Sequence, residues 1–209
     1  MTRADWPVIP LLAAALLGSA ATVTPGPERE AYRIDGKTSR LTVETETTGL
    51  SSMFGHDHRF DVRDFTGTLT MAPGAPESAV LELTVRADAL VLLETVDDDT
   101  RREIAAALRD AVLETARYPE VSFRSRRVRA TRNADGTLDV TAIGDLDMHG
   151  VRRSIVVPAH VVPTPGGFRA TGALGLRQSA FKIRPYTFAR GTVSVRNAVT
   201  ISFDLLARR

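Results

Sequence analysis

Along most of this chain apolar residues recur at every second position, and that period limits what the chain can fold into. Leu41 and Val43 alternate with Thr42 and Glu44, Leu81, Leu83 and Val85 with Glu82, Thr84 and Arg86, and Val121 and Phe123 with Ser122 and Arg124. The pattern returns over 138–142, 155–159, 168–174 and 199–205. Successive side chains of an extended strand point to opposite faces, so each stretch gathers its apolar side chains on one face. Turn-forming residues separate the stretches, most clearly Asn133-Ala134-Asp135-Gly136 and Pro163-Thr164-Pro165-Gly166-Gly167. About eight strands at this spacing predict a mainly β fold, an antiparallel barrel or sandwich.

One segment follows a different period. Thr100 and Glu103 have the spacing of a capping box, and Ile104, Ala107, Leu108, Ala111 and Val112 then recur at helical intervals until Tyr118-Pro119. A single amphipathic helix laid against the sheet is expected there. Asp97-Asp98-Asp99 before it complements the positive end of a helix. The spacing of a calcium loop, Asp-x-Asp-x-Asp-Gly, is missing, so capping is the reading of this acidic run.

The first residues stand apart. Arg3 precedes an apolar run over 8–17 that is too short to span a bilayer, and Gly18-Ser19-Ala20-Ala21 offers small residues for cleavage. Residues 1–21 are therefore expected to be a signal peptide and 22–30 a flexible lead-in. One folded domain over 31–209 follows, and export to the periplasm or beyond is the expectation. The absence of cysteine in all 209 residues removes disulfides, Cys-ligated zinc, iron–sulfur clusters and thiol catalysis. The formal net charge of +2 is small, and all but Lys37 and Lys182 of the 27 basic residues are arginines. Arginines are dense between Arg124 and Arg132, where Arg124 and Arg126 face away from the apolar side. A solvated outer face accounts for them, and peripheral contact with anionic lipid headgroups is a second use. Aromatic interleaving of the kind that grips nucleic acid is missing.

Residue chemistry for catalysis is sparse. There is no Gly-x-Ser-x-Gly elbow, Ser179 has no local base, and the carboxylates are scattered over polar strand faces, so no enzyme activity is expected. The histidines offer one sharper possibility. In a strand His56 and His58 point the same way, and a metal held between them takes His149 or His160 as a third ligand. The alternative is that Gly55-His56-Asp57-His58 is a turn whose polar side chains satisfy backbone groups.

The order of several motifs resembles the YceI-like family of bacterial polyisoprenoid-binding proteins. They are Gly55-His56-Asp57-His58 followed by Phe65-Thr66-Gly67-Thr68-Leu69, then Tyr118-Pro119-Glu120-Val121-Ser122-Phe123, then Leu146-Asp147-Met148-His149-Gly150-Val151. Gln178-Ser179-Ala180-Phe181-Lys182-Ile183-Arg184-Pro185 is similar to the family's late segment, where Gly commonly follows the Phe; here Lys182 takes that place. The resemblance covers residues 31 to 207. It implies an antiparallel lipocalin-like β-barrel of about eight strands with one flanking helix, an apolar interior and a periplasmic location. It also implies a non-covalently held lipid, polyisoprenoid or quinone-like, with no other cofactor.

Combined with the alternation, it marks Leu41, Val43, Phe60, Phe65, Leu69, Leu83, Val85, Phe123, Leu146, Ile155, Phe168, Leu174, Ile201 and Phe203 as candidate inward, ligand-facing residues. Periodicity alone does not separate a hollow barrel from one filled by its own side chains. Three functions therefore remain open at this point: lipid binding or carriage, a metal- or haem-linked stress or redox protein using His56, His58 and His149, and a structural module with a filled core.

Overall fold

The computed structural model describes residues 28–49, 58–188 and 193–209. Twelve strands are found among them: β1 Glu30–Ile34, β2 Arg40–Gly49, β3 His58–Val62, β4 Phe65–Ala72, β5 Ala75–Arg86, β6 Leu90–Leu92, β7 Glu120–Arg132, β8 Leu138–Met148, β9 Val151–Thr164, β10 Gly167–Arg177, β11 Thr187–Phe188 and β12 Val193–Arg208. Eight of them close an antiparallel barrel in the order β1-β4-β5-β7-β8-β9-β10-β12, with β12 returning to β1. Beside this ring β2, β3 and β6 continue from β12 as a second run of neighbours.

The two runs are parts of the same walls. β1 and β2 lie on one edge of β12, β1 against Ala207 and Arg208 and β2 against the stretch from Val193 to Asp204. β3 passes into β4 through Arg63-Asp64, and β5 into β6 through Ala87-Asp88-Ala89. Three of the eight walls are thus long strands broken near their middle. The barrel's two ends follow from the register. The N-terminus of β1 and the β4–β5, β7–β8 and β9–β10 turns gather at one end, here called the wide end.

At the other end stands α1, Asp98–Ala107, continued by a π-helical turn, Leu108–Val112. The helix begins earlier than its capping-box spacing predicts. Asp97 is the N-cap: its carboxylate accepts from the Thr100 backbone N–H at 2.8 Å and from the Thr100 hydroxyl at 2.7 Å, so Thr100 is the donor rather than the cap. The acidic run is a capping device, as its composition suggests, with Asp98 and Asp99 in the first turn. The helix ends differently from expectation as well. The chain past Ala107 widens into the π turn, and Leu108, Val112 and Leu113 turn into the barrel's end as a plug instead of lying along its outside.

Charged residues are interspersed with Ser and Thr on the outward positions, and ion pairs run across the strands: Arg169 with Asp204 at 2.5 Å, Arg152 with Asp147 at 2.8 Å, and Arg124 with Glu82. Such exposed pairs contribute little each, and register is held mainly by the inward apolar face.

The cap makes a pH-dependent prediction. The Thr100 backbone N–H and then its hydroxyl hold the Asp97 carboxyl below its ordinary value. A depressed carboxyl stabilises the fold fully above the unfolded pKa of about 3.9, and that contribution is lost as pH falls through the lower folded value. Hydrogen-exchange protection of 98–107 is therefore expected to drop on acidification below about pH 4. Asp97→Ala is expected to show the low protection already at neutral pH and to lose the acid dependence.

Candidate functional site: an apolar tunnel

The alternating strands turn their apolar faces inward, and those faces do not meet. Three cavities follow one another along the barrel axis, of about 320 Å³ at the wide end, about 120 Å³ at the waist and about 150 Å³ beneath the helical plug. Phe203 and Leu205 wall both the first and the second, and Leu41, Val85 and Ile201 wall both the second and the third. They are successive segments of one tunnel.

Side-chain size sets the tunnel's profile. The wide end is bordered by small residues on neighbouring strands, Ala142, Ala159, Ala170 and Ala207, which leave the middle of the barrel empty. At the waist Phe123, Leu146 and Phe203 reach further in. Gly172 allows this: a Cβ there would lie 2.5 Å from the Phe203 ring. Beneath the plug, Val43 and Phe60 face Leu108, Val112 and Leu113 across the third cavity.

Among the described residues polar groups stand only at the ends. Glu30 and Arg132 border the wide end, and Thr45 and Gln178 the plugged end. Gln178 is buried and its amide donates to the Arg196 carbonyl at 2.8 Å, so it is satisfied within the protein. Glu30 accepts from the Tyr32 hydroxyl at 2.5 Å and pairs with Arg209. Between the two ends the tunnel presents hydrocarbon, a surface that favours apolar ligands and gives a charged one nothing to bond.

Every inward residue expected from the sequence lines one of these cavities except Phe65, which is buried in the core cluster with Leu41, Val62, Val85 and Leu205 and borders no cavity. Sequence reasoning missed much of the wide end, including Tyr32, Met71, Val128 and Leu138. The alternation of Leu138 with Val140 and Ala142 was the available signal for that end. It missed the plug residues because they lie on a helix.

The candidate metal ligands are not brought together. His56 lies outside the described residues. His58 opens β3, its Nδ1 3.7 Å from Glu94 Oε2. His149 sits in the β8–β9 turn under Tyr118, with ring centroids 4.3 Å apart. His160 is on the outer face, 3.0 Å from Asp139. Among the described residues no three His, Asp, Glu or Cys side chains are grouped to hold a metal ion.

His149 instead organises the plugged end. Its Nδ1 lies 3.2 Å from the Phe181 carbonyl, and since a carbonyl only accepts, Nδ1 carries the hydrogen. Phe181, 1% exposed, is the anchor of a cluster with Phe123, Leu146 and Ile183. Ser179 is held by Asn197, whose side-chain amide accepts from the Ser179 N–H at 2.9 Å and donates to its hydroxyl at 2.8 Å.

An eight-stranded barrel with a hydrocarbon-lined tunnel, plugged by a helix at one end, defines this as a calyx-shaped β-barrel protein. A model of the YceI-like domain matches residues 32–207, and the chain belongs to that family. It is similar to the UPF0312 protein of Pseudomonas savastanoi pv. phaseolicola, at 28% identity over 179 residues, which is 82% of this chain and 86% of that one. The UPF0312 protein of Pseudomonas fluorescens is 27% identical over 164 residues, 76% of this chain and 78% of the relative. Two solved structures share the fold. BcnA of Burkholderia cenocepacia has a TM-score of 0.60 at 17% identity, over 83% of this chain and 98% of its own. A polyisoprenoid-binding domain from Saccharophagus degradans has 0.57 at 14%, over 85% and 97%.

The departure at Lys182 now has a structural meaning. Lys182 caps the 3₁₀ turn Gln178–Phe181 in the left-handed region, at φ 59°. Glycine occupies such a conformation without the steric cost that a Cβ brings. Lys182→Gly is expected to stabilise the fold by about 1 kcal/mol in urea unfolding, and Lys182→Val to destabilise it.

Proposed function

We propose that this is an exported, non-catalytic binding protein that holds one long apolar molecule, a polyisoprenoid or a prenyl quinone, along the barrel axis. The observation that carries the reading is the tunnel. Its three segments follow one another with shared walls of hydrocarbon, and among the described residues polar groups border only the two ends. A linear chain of apolar carbons fits such a space better than a compact polar substrate does. Burying one five-carbon unit is worth about 4 kcal/mol gross, before the cost of association is subtracted, so a few units suffice for tight binding without hydrogen bonds. The shared fold of the Saccharophagus degradans polyisoprenoid-binding domain supports the same class of ligand.

The non-enzymatic part is supported by the bonds that already engage the polar side chains with nucleophile or base chemistry. Ser179 is tied to Asn197, and His149 to Phe181 and the Tyr118 ring. Export rests on the run over 8–17 and the small residues after it.

Organic extraction of the purified protein followed by mass spectrometry is expected to yield a prenyl lipid at up to one per chain. Protein that comes out empty and takes up no added prenyl quinone would refute the proposal. Ala159 borders the widest segment, and Ala159→Trp puts an indole into that space. The variant is expected to fold, to bind a single-isoprene analogue, and to lose affinity for a long prenyl chain by at least tenfold. Fusion of residues 1–30 to a reporter, followed by cell fractionation, checks the route of export.

A further inference from the structure

The barrel wall is not paired along its whole height. β5 and β7 are hydrogen-bonded from Arg86↔Glu120 only as far as Glu82↔Arg124. Beyond that point β5 runs on to Ala75 and β7 to Arg132, each paired solely with its hairpin partner, β4 or β8. The cause is local. β7 bulges between Ser125 and Arg127, and the Ser125 hydroxyl takes the Leu81 N–H at 2.8 Å in place of a backbone acceptor. Gly144 sits directly behind the bulge, where a Cβ would lie 2.3 Å from the Arg124 carbonyl. Pro76 on the other side has no N–H to offer a neighbour.

The result is a stretch in the side of the wide end with no backbone ladder across it, here called the cleft. Both of its lips line the 320 Å³ cavity: Pro73, Pro76 and Ala79 from one hairpin, Val128 and Arg132 from the other. The lips differ in character. The β4–β5 side is apolar, with Glu77 as its exposed acid. On the β7 side Arg127, Arg129 and Arg132 are exposed and have no ion-pair or hydrogen-bond partner among the described residues, whereas their neighbours Arg124 and Arg126 pair with Glu82 and Asp145.

We propose that this cleft is a lateral portal, docked by Arg127, Arg129 and Arg132 onto an anionic phospholipid surface, through which the apolar ligand passes between bilayer and tunnel. The inference rests on the lipid-binding reading and adds to it a partner and a route. Free guanidinium groups beside an apolar lip are the combination an anionic interface attracts, each cation close to the surface contributing about fivefold in partition. A sideways opening also lets a lipid leave hydrocarbon for hydrocarbon without drawing its whole length through water.

The full chain has no cysteine, so single labels are specific. An environment-sensitive fluorophore on Pro73→Cys is expected to brighten and shift to the blue with vesicles of phosphatidylcholine containing about one third phosphatidylglycerol. The same label on Arg117→Cys, at the plugged end, is expected to respond weakly. Transfer of a prenyl quinone from those vesicles is expected to slow at least tenfold in Arg127→Glu/Arg129→Glu, neither of which lines the tunnel, and to lose its dependence on phosphatidylglycerol. Binding of quinone added from ethanol should match wild type.

Equal responses from the two labels would overturn the portal. Transfer by the double variant at the wild-type rate would overturn it too, as would wild-type transfer insensitive to phosphatidylglycerol. If wild type binds no quinone even from ethanol, it is the lipid-binding reading that has failed, and the label positions still report whether the cleft docks.

Discussion

A closed ring of eight strands has an inside too wide for short side chains to fill, and the molecule is organised around that gap. Backbone pairing fixes the ring's size, so the inward residues can only choose how much of the interior to occupy. Here alanines at the wide end occupy little, while Phe123, Leu146 and Phe203 at the waist occupy more. The unfilled space weakens the ordinary source of stability, since inward side chains lack partners across the tunnel. Packing is gathered instead into local clusters, between adjoining wall strands and where the wall meets the 3₁₀ turn. Phe181 and Ile183 lie against Phe123 and Leu146, and Tyr32 and Met71 against Ala207.

Asymmetry between the two ends follows. At the plugged end, the helix, the β8–β9 turn and the 3₁₀ turn close on one another through His149, Tyr118 and the Phe181 carbonyl. Backbone strain collects there too, with positive φ at Glu114, His149 and Lys182. The wide end has turns at Gly74, Gly136 and Gly166, where glycine takes positive φ freely and nothing lies within reach of a Cβ. The tunnel is therefore held shut by a well-packed cluster on one side and bordered by simple turns on the other.

The β class, the strand positions and most of the inward residues were legible in the sequence, because a period of two is a direct imprint of one buried face. Phe65 shows how far the imprint reaches. Its alternation with Gly67 and Leu69 marks a buried face, but whether such a residue borders open space or packs against Leu41, Val85 and Leu205 depends on neighbours distant in sequence. The helix was legible in kind and misread at its start, since Asp97 and Thr100 both have cap chemistry and only the folded geometry shows which one accepts. Hollowness was not legible from the residues, for alternation is the same in a filled barrel. Nor was the unpaired stretch of β7, which depends on a serine hydroxyl meeting an amide 44 residues away in sequence.

The last strand carries a consequence for how this chain comes to be folded. β12, Val193–Arg208, is the last strand in chain order and pairs with β10 on one side and with β1 and β2 on the other. The ring therefore cannot close until β12 has been made. Until then β10 and the N-terminal strands expose open edges, and the closing pairs join residues such as Leu41 and Phe203 that are far apart in sequence. Topologies dominated by such distant pairs fold slowly. Slow closure leaves the nascent chain a long unfolded lifetime, during which its open edges need the cover of a chaperone.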